Sequence, residues 1–372
     1  MKEPRLLDDI PTPALILDLE AFRENLRRLA EHCQKHQVSF RPHAKSHKCP
    51  EIARRQIESG AIGISVATVD EAEAMANAGL RGLLLTSPIV EAGKIERLVR
   101  LIQRGADLML AIGHVREVEL LAERSDRLGV VVPVLLDLDV GDRRTGVLPG
   151  TSAVELARRI AEHRSLRLQG LQAYAGHASH VVGFEARKAA SWKALSQALE
   201  TRDLVVRAGF EMPILSVGST GTYNIDSEIS GVTELQCGSY VFMDLDYRRI
   251  GGAKSHRFED FHFSLTVLTT VVSAEHPDRV TVDAGIKAFA TDAPWKPEAA
   301  DRPGLVLTWV GDEFGIVTAS DGGKLPRLGD RLRFLVPHCD PTVNLYDRIH
   351  VVQGETVVDV WKTTARRRAE AG

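Results

Sequence analysis

The sequence predicts a (β/α)8 barrel followed by a separate all-β domain. From about residue 38 to residue 244, short apolar runs rich in β-branched residues alternate with segments of helical pattern. After residue 255, strand-like runs follow one another with turn residues, but no helical pattern, between them. We therefore assign residues 12–255 to the barrel and residues 256–372, together with residues 1–11, to the β domain.

Eight runs in the first part have the composition of strands that are buried on both faces of a parallel sheet. They are residues 38–45, 61–68, 81–88, 106–112, 130–140, 166–174, 212–219 and 233–244. Eight β-α units suit a closed barrel, but a doubly wound open sheet alternates β and α in the same way. Periodicity alone leaves both architectures open.

The segments between these runs carry helix signals. Thr68 and Glu71 have the spacing of a capping box, which predicts that a helix begins at this point. Before the first run, apolar residues between Phe22 and Cys33 recur at the spacing of one helical face. These signals predict helices that pack one apolar face against the strands.

The second part of the chain reads as an antiparallel β domain. Its predicted strands are residues 261–272, 279–283, 305–310, 331–336 and 349–352. The glycines at 311 and 315 flank a predicted turn between two of these strands.

Composition excludes several classes of protein. Lys plus Arg number 47 and Asp plus Glu number 50, so the net charge of −3 argues against nucleic acid as the main partner. No stretch approaches the roughly 20 apolar residues of a membrane span, and the N-terminus has no signal-peptide core. The four cysteines have neither disulfide nor zinc-finger spacing. We expect a cytoplasmic protein.

The ends of the predicted barrel strands carry the first candidate site. Active sites of barrels lie at the C-terminal ends of their strands. Lys45 ends the first run, and the loop Ser219, Thr220, Gly221 and Thr222 follows the seventh. Glycines and hydroxyls in such a loop suit a phosphate, and together with the lysine they suggest pyridoxal phosphate. Taken singly, each feature also fits a solvated lysine and an ordinary loop.

The segment Val336–Pro341 carries the second candidate site. On an extended strand, His338 and Asp340 would share one face and Cys339 would point away. A histidine with a carboxylate suits Mn²⁺, Mg²⁺ or Zn²⁺. The alternative interpretation of the same segment is a capped turn.

Seven segments of the sequence resemble one known family in order and spacing. They are Asp9–Pro13, Arg41–Pro50, Asp139–Arg144, Gly170–Tyr174, Thr233–Tyr240, Val282–Lys287 and His338–Thr342. Together they resemble D-threonine aldolases and eukaryotic-type D-serine dehydratases, which are pyridoxal-phosphate enzymes of the alanine-racemase fold. The resemblance covers nearly the whole chain and implies a barrel followed by a β domain.

The resemblance also implies a head-to-tail homodimer in which the β domain of the partner completes each active site. It implies that Lys45 bonds to the cofactor and that Arg144 lies beside the cofactor ring. The positions that it assigns to the cofactor phosphate are Gly221, Thr222, Gly238, Ser239 and Tyr240.

The substrate implied by the resemblance is a D-amino acid with a β-hydroxyl group. His338 and Asp340 match the metal ligands of the family, and Tyr174 and His180 match residues that face the substrate. In the mechanism that this suggests, the metal binds the β-hydroxyl group and His180 takes its proton. The bond between Cα and Cβ then breaks, which gives glycine and an aldehyde.

The family divides by the residue two places after the metal histidine. D-serine dehydratases resemble His-x-Cys with zinc, and D-threonine aldolases resemble His-x-Asp with Mn²⁺ or a similar ion. Here Asp340 holds that place, which favours an aldolase with Mn²⁺ first and Mg²⁺, Co²⁺ or Zn²⁺ as alternatives. A bulge that turned Cys339 to the metal would favour a dehydratase, which gives a 2-oxo acid and ammonia. A non-catalytic pyridoxal-phosphate-binding protein is the second alternative.

Overall fold

The structure is a computed structural model that describes residues 6–320 and 323–366. Its contacts divide the described chain into two compact units. The β unit comprises residues up to 28, residues 46–49 and residues 239–364. The barrel unit comprises residues 29–45, residues 50–238 and the residues from 365 onward.

The described residues form seventeen strands and eleven helices. The strands are β1 (Ala14–Asp18), β2 (Ser39–Phe40), β3 (Ile64–Val66), β4 (Leu83–Leu85), β5 (Leu108–Ile112), β6 (Val132–Asp137), β7 (Leu166–Gln172), β8 (Ile214–Val217), β9 (Glu234–Leu235), β10 (Leu265–His276), β11 (Arg279–Val282), β12 (Glu298–Ala299), β13 (Leu305–Trp309), β14 (Gly315–Ala319), β15 (Arg331–Leu335), β16 (Arg348–Gln353) and β17 (Thr356–Lys362). The helices are α1 (Leu19–Lys35), α2 (Pro50–Glu58), α3 (Val69–Asn77), α4 (Ala92–Gln103), α5 (Val115–Leu128), α6 (Thr151–Ala161), α7 (Gly176–Ser179), α8 (Phe184–Arg207), α9 (Tyr223–Asp226), α10 (Leu245–Arg248) and α11 (Cys339–Val343).

The barrel unit contains one sheet of eight parallel strands in the order β2-β9-β8-β7-β6-β5-β4-β3. A parallel bridge between His43 and Ser65 joins the two ends of this sheet. The prediction of a barrel rather than an open sheet is therefore confirmed, and each of the eight predicted runs contains one of these strands. The strands are short and almost fully buried, as expected for a parallel sheet covered by helices.

Local sequence explains where the helices begin and which face they bury. The hydroxyl of Thr68 accepts a hydrogen bond from the Glu71 N–H at 3.2 Å, and the Glu71 carboxylate accepts one from the Ala67 N–H at 2.6 Å. Both bonds satisfy donors at the start of α3, which lack partners within the helix. On α1, Phe22 and Cys33 lie at opposite ends of the predicted apolar face and both are buried.

The β unit contains one sheet of nine strands in the order β11-β14-β13-β12-β15-β10-β1-β16-β17. Its pairs are antiparallel except for β1 and β16, which are parallel. The five predicted strands correspond to β10, β11, β13, β15 and β16, whereas sequence analysis missed β1, β12, β14 and β17. The expected boundary at residue 12 places strand β1 on the barrel side, but in the structure β1 belongs to the sheet of the β unit. Its continuous apolar run has the composition of a barrel strand.

Within residues 6–320 and 323–366, no helix is both long enough and apolar enough to cross a membrane.

Candidate active site

A cavity of about 490 Å³ lies at the carboxyl ends of the barrel strands. Residues that follow β2, β3, β4, β6, β7 and β9 line it. Its volume lies in the range of cavities that bind small molecules. The position is the one at which barrel enzymes carry their chemistry.

Three predicted site residues meet in this cavity. The Lys45 amine lies 5.6 Å from the centroid of the Tyr174 ring, and the Arg144 guanidinium lies 5.3 Å from the same centroid. Both distances allow a cation–π interaction. The nitrogen Nε of Arg144 also lies 3.3 Å from an oxygen of Asp142. Tyr174 is thus flanked by two cations at the mouth of the barrel.

The backbone around Lys45 is not the extended strand that the sequence suggested. Strand β2 ends at Phe40, and Lys45 lies in a single 3₁₀ turn that comprises residues 44–46. The backbone N–H of Lys45 donates to Nδ1 of His43 at 3.3 Å. This bond ties the turn to the strand that precedes it.

Hydrogen bonds define the tautomer of His43. Its Nδ1 accepts from the Lys45 N–H, so Nδ1 carries no proton. Its Nε2 lies 3.0 Å from the hydroxyl of Thr86, which donates its own proton to the carbonyl of Val66. Nε2 must therefore be the donor to Thr86. His43 is a neutral support for the lysine turn.

Two amide side chains and a carboxyl group connect the strand ends beneath the cavity. Gln236 donates to the side-chain oxygen of Gln172 at 3.2 Å, and Gln172 donates to Oδ1 of Asp137 at 2.8 Å. Burial raises the pKa of Asp137, although the hydrogen bond from Gln172 opposes this effect. The second oxygen of Asp137 is buried and makes no hydrogen bond of ordinary geometry within the described chain, so it fits a polar group of a ligand.

The two histidines after strand β7 lie in and beside the short helix α7. The backbone N–H of His177 donates to Asp142 at 2.9 Å, and its Nδ1 lies 3.8 Å from the same carboxylate. His180 follows the helix and is exposed. Asp142, which accepts from the His177 N–H, lines the cavity, and His180 is not one of the lining residues found in the described chain.

The loop Ser219–Thr222 follows strand β8 and is buried. The hydroxyl of Thr222 accepts from the Ser219 N–H at 3.2 Å and donates to Asp226 at 2.6 Å. Ser179 donates to the Ser219 hydroxyl at 2.6 Å. The glycine and hydroxyl content of the loop is typical of loops that bind phosphate, but the Ser219 N–H, the Thr222 N–H and the Thr222 hydroxyl already have acceptors within the protein.

The other residues assigned to the phosphate lie after strand β9. Gly238 ends the middle segment of the barrel unit, and Ser239 and Tyr240 begin the last segment of the β unit. The ring of Tyr240 is fully buried, with its centroid 5.5 Å from that of Phe261. The hydroxyl of Ser239 donates to Asp340 at 3.2 Å, which connects it with the predicted metal ligand.

The predicted geometry of the metal segment is wrong. His338 caps helix α11, and Asp340 lies in the first turn of that helix, so the segment is not an extended strand. Within the helix Cys339–Val343, the Thr342 hydroxyl donates to the His338 carbonyl at 2.7 Å. Alternation of side chains along a strand therefore does not explain how His338 and Asp340 would bind the same metal ion.

The surroundings of His338 and Asp340 nevertheless fit a divalent cation. Nδ1 of His338 lies 2.7 Å from a carboxylate oxygen of Asp292, which leaves Nε2 as the nitrogen for a metal. Burial opposes a charged His338, but Asp244, Asp340 and Asp292 outweigh it and raise the pKa of the imidazole. Acceptors of this kind suit Mn²⁺ or Zn²⁺. In the described chain, no group of three or more His, Cys, Asp and Glu residues forms a complete metal site.

Cys339 lies between the two predicted ligands but is fully buried. Burial raises the pKa of its thiol well above the ordinary value, and the thiol donates to Oδ1 of Asp340 at 3.3 Å. The thiol is thus enclosed by the protein, with the Asp340 carboxylate as its acceptor.

Sequence reasoning missed several supporting residues. Asp292 and Asp244 flank the metal segment in space but lie 46 and 94 residues before His338, and neither belongs to a recognisable motif. Arg187 lies behind the phosphate loop and gave no signal other than its place on a helix. Gln172 was part of a quoted segment, but only the structure shows its bond to Asp137.

Two family models match this chain. Residues 17–246 match the model described as alanine racemase, N-terminal domain, and residues 264–352 match the model described as a putative serine dehydratase domain. The first match alone covers more than half of the chain.

Characterised relatives match nearly the full length. The chain is 35% identical to 3-hydroxy-D-aspartate aldolase of Paracoccus denitrificans (strain Pd 1222), with 96% of this chain and 92% of that protein covered. It is 36% identical to D-threonine aldolase of Arthrobacter sp, with 96% and 93% covered. The D-threo-3-hydroxyaspartate dehydratase of Delftia sp. (strain HT23) is more distant, at 29% identity with 95% and 97% covered.

A solved structure shows the same fold. The crystal structure of D-threonine aldolase from Filomicrobium marinum superposes with a TM-score of 0.93 at 36% identity. The match covers 97% of this chain and 98% of that chain. Both units of the fold therefore occur together in that aldolase.

Proposed function

The chain belongs to the family of D-threonine and 3-hydroxy-D-aspartate aldolases, and on this premise we propose that it is an aldehyde lyase. It cleaves D-3-hydroxy amino acids by a retro-aldol reaction to glycine and an aldehyde. Its cofactors are pyridoxal phosphate and a divalent metal ion, with Mn²⁺ as the first expectation.

One observation carries this proposal beyond the family match. Lys45, Arg144 and Tyr174 converge on a cavity of suitable volume at the carboxyl ends of the barrel strands. The cavity contains a primary amine for an aldehyde and a guanidinium for an anionic oxygen. It also contains a buried carboxyl oxygen of Asp137 that makes no hydrogen bond of ordinary geometry within the described chain.

Residues of the barrel unit would hold the cofactor. Lys45 would bond to its aldehyde, and the Ser219–Thr222 loop would bind its phosphate. Arg144 would lie beside the ring. Pyridoxal phosphate supplies an electron sink for the carbanion that remains at Cα after cleavage. His43, which is neutral and bonded to the Lys45 N–H, keeps the turn that carries the amine in place.

Residues of the β unit would hold the metal. His338, through Nε2, and Asp340 are its proposed ligands, and Asp292 orients the imidazole. A divalent ion supplies Lewis acidity, which lowers the pKa of a hydroxyl group. Ser239 and Cys339 both donate to Oδ1 of Asp340, so hydrogen bonds fix that carboxylate before any ligand arrives.

His180 is the proposed acceptor for the β-hydroxyl proton, and Tyr174 is proposed to contact the substrate. His177 is the matched comparison, because it lies three residues before His180 and is bonded to Asp142. Loss of activity in His180→Ala with retention in His177→Ala supports the assignment, and the reverse pattern contradicts it.

A product assay tests the function. We expect the purified protein to convert D-threonine to acetaldehyde and glycine, to leave L-threonine unchanged, and to lose activity in EDTA. Release of 2-oxobutyrate and ammonia would identify a dehydratase instead. Cofactor binding without turnover of D-threonine, D-phenylserine or 3-hydroxy-D-aspartate would identify a non-catalytic binding protein. Full activity after chelation would remove the metal from the proposal.

We also propose a cytoplasmic homodimer with shared active sites, which rests on the family resemblance. Light scattering of the eluted protein measures the mass in solution, and a mass of about 41 kDa, that of a single chain of 40.8 kDa, would contradict the dimer.

A further inference from the structure

Arg187 is the largest of the fully buried side chains in the described part of the molecule. It lies in the first turn of α8, directly behind the Ser219–Thr222 loop. Its Nε donates to the carbonyl oxygen of Gly221 at 2.7 Å, and its Nη1 donates to the carbonyl oxygen of Val181 at 3.0 Å. A guanidinium group therefore contacts the loop from the side of the protein interior.

The bond to Gly221 sets the orientation of one peptide group. In a trans peptide, the carbonyl and the N–H of the next residue point in opposite directions. An arginine that holds the Gly221 carbonyl therefore also fixes the direction of the Thr222 N–H, which donates within the loop to the Ser219 carbonyl at 3.3 Å. The guanidinium group stays protonated at any ordinary pH, so its charge is permanent and is screened little by water at this depth.

A second set of bonds holds the same loop through its hydroxyls. Ser191, one turn after Arg187 on α8, donates to Oδ1 of Asp226, and Thr222 donates to Oδ2 at 2.6 Å. Because the single hydroxyl proton of Thr222 is directed to Asp226, Thr222 cannot donate it to a ligand. The Ser219 N–H donates to the Thr222 hydroxyl at 3.2 Å and the Thr222 N–H to the Ser219 carbonyl, so the buried charge behind the loop is the feature that can attract a phosphate.

We propose that Arg187 is a positioning residue for a phosphate monoester, which holds the turn of the loop through the Gly221 carbonyl and places a buried positive charge behind it. The inference rests on the proposed function, because it takes the loop as the site of the cofactor phosphate. It adds to that function a residue, Arg187, that does not contact the phosphate monoester but raises the affinity of the protein for it.

Arg202 provides a matched control on the same helix. Its Nη1 donates to the carbonyl oxygen of Gly231 at 2.9 Å, so it also joins an α8 arginine to a glycine carbonyl. Gly231 lies outside the phosphate loop, and Arg202 is only half-buried. If the loss of any bond between an α8 arginine and a glycine carbonyl weakened ligand binding, substitution of Arg187 and substitution of Arg202 would weaken it equally.

The test compares two ligands that differ only in the phosphate. Full-length protein freed of its cofactor is titrated with pyridoxal phosphate and with pyridoxal, and binding is followed by absorbance. We expect Arg187→Met to weaken binding of pyridoxal phosphate by about 10- to 100-fold, the usual effect of losing a charged hydrogen bond, with pyridoxal binding changed less than about twofold. Arg187→Lys should recover part of the loss, since it keeps the charge but not the planar fork. Arg202→Met should bind both ligands as the wild type does.

Other results overturn the inference. Equal weakening of both ligands would give Arg187 a purely structural role, and unchanged binding of both would give it none. If Arg187→Met does not fold, Arg187→Lys decides. Binding of pyridoxal phosphate at the wild-type affinity would then refute the inference, whereas a selective loss of about threefold or more would support it. Wild-type protein that binds both ligands equally would refute the phosphate loop itself, which is a failure of the proposed function.

Discussion

The two candidate sites are built in different ways. In the barrel unit, Lys45, Tyr174 and Arg144 follow strands whose ends are fixed by a closed sheet, and neutral groups such as His43 and Gln172 support them. In the β unit, the metal segment is a helix cap held by carboxylates. The comparison shows that the first site depends on strand order, whereas the second depends on the charges gathered around one imidazole.

The largest expected effect on activity is that of Lys45→Ala, which should impair the barrel site and leave the metal site unchanged. We expect Lys45→Ala to reduce cleavage of D-threonine by roughly a thousandfold or more, since Lys45 is the lysine that lines the cavity in the described chain. The visible absorbance band of the bound cofactor should disappear. Mn²⁺ affinity should stay as in the wild type, because the proposed metal ligands lie in the β unit. Lys35→Ala, which removes an exposed lysine of α1, is the control. Retained absorbance in Lys45→Ala would refute the assignment.

The converse change tests the metal site. His338→Ala and Asp340→Ala should each lower activity by roughly a hundredfold or more and abolish tight Mn²⁺ binding, since each removes a ligand. The affinity for pyridoxal phosphate should change little. Calorimetry measures both ligands in one preparation, and His256→Ala, at an exposed histidine of the β unit, is the control. Tight Mn²⁺ binding by both variants would mean that the ion lies elsewhere.

A smaller effect is expected at Asp292, which contacts His338 but is not a proposed ligand. Asp292→Ala should weaken Mn²⁺ binding by about 10- to 100-fold, the usual consequence of losing a partner that orients a metal histidine. Asp292→Asn keeps an acceptor and should lose less. Asp278→Asn, at an exposed carboxylate of the same unit, should have no effect. If both Asp292 variants bind Mn²⁺ normally, the imidazole is oriented by another group.

The smallest effect on activity, but a clear one on stability, is expected at Asp226 in the barrel unit. Burial raises its pKa to about 6, against hydrogen bonds from Ser191 and Thr222 that lower it. The folded state thus keeps a proton that the unfolded state releases near pH 4, so stability is lost as the pH rises from about 4 through 6. Asp226→Asn should remove this loss, which amounts to about 3 kcal/mol.

Urea unfolding at several pH values between 4 and 7.5 measures this difference. Asp126→Asn, at an exposed carboxyl group of α5, should follow the wild type across the range. Parallel pH profiles for wild type and Asp226→Asn would show that Asp226 titrates normally.

Sequence reasoning captured what depends on order along the chain. Lys45 was found because the end of a barrel strand can be located from an apolar run and the residues after it, whereas Tyr174 was found through the family resemblance. Asp340 was selected by a wrong argument, since residues 339–343 form a helix that the side-chain pattern of so short a segment could not indicate. Asp292 and Arg187 act through contacts with residues 46 and 34 positions away, and periodicity does not record such distances.

Sequence analysis also missed strand β1, and the position of this strand in the sheet has a consequence for biosynthesis. It lies between β10 and β16 in the nine-stranded sheet, although it precedes both of them in the chain. One of its neighbours is made about 250 residues later, and the other more than 300 residues later. Until then, its apolar residues and both hydrogen-bonding edges have no native partner, which exposes the nascent chain to aggregation. Each barrel strand from β4 to β9, in contrast, can pair with the strand synthesised just before it. Completion of the second sheet must therefore wait until β16 has been translated.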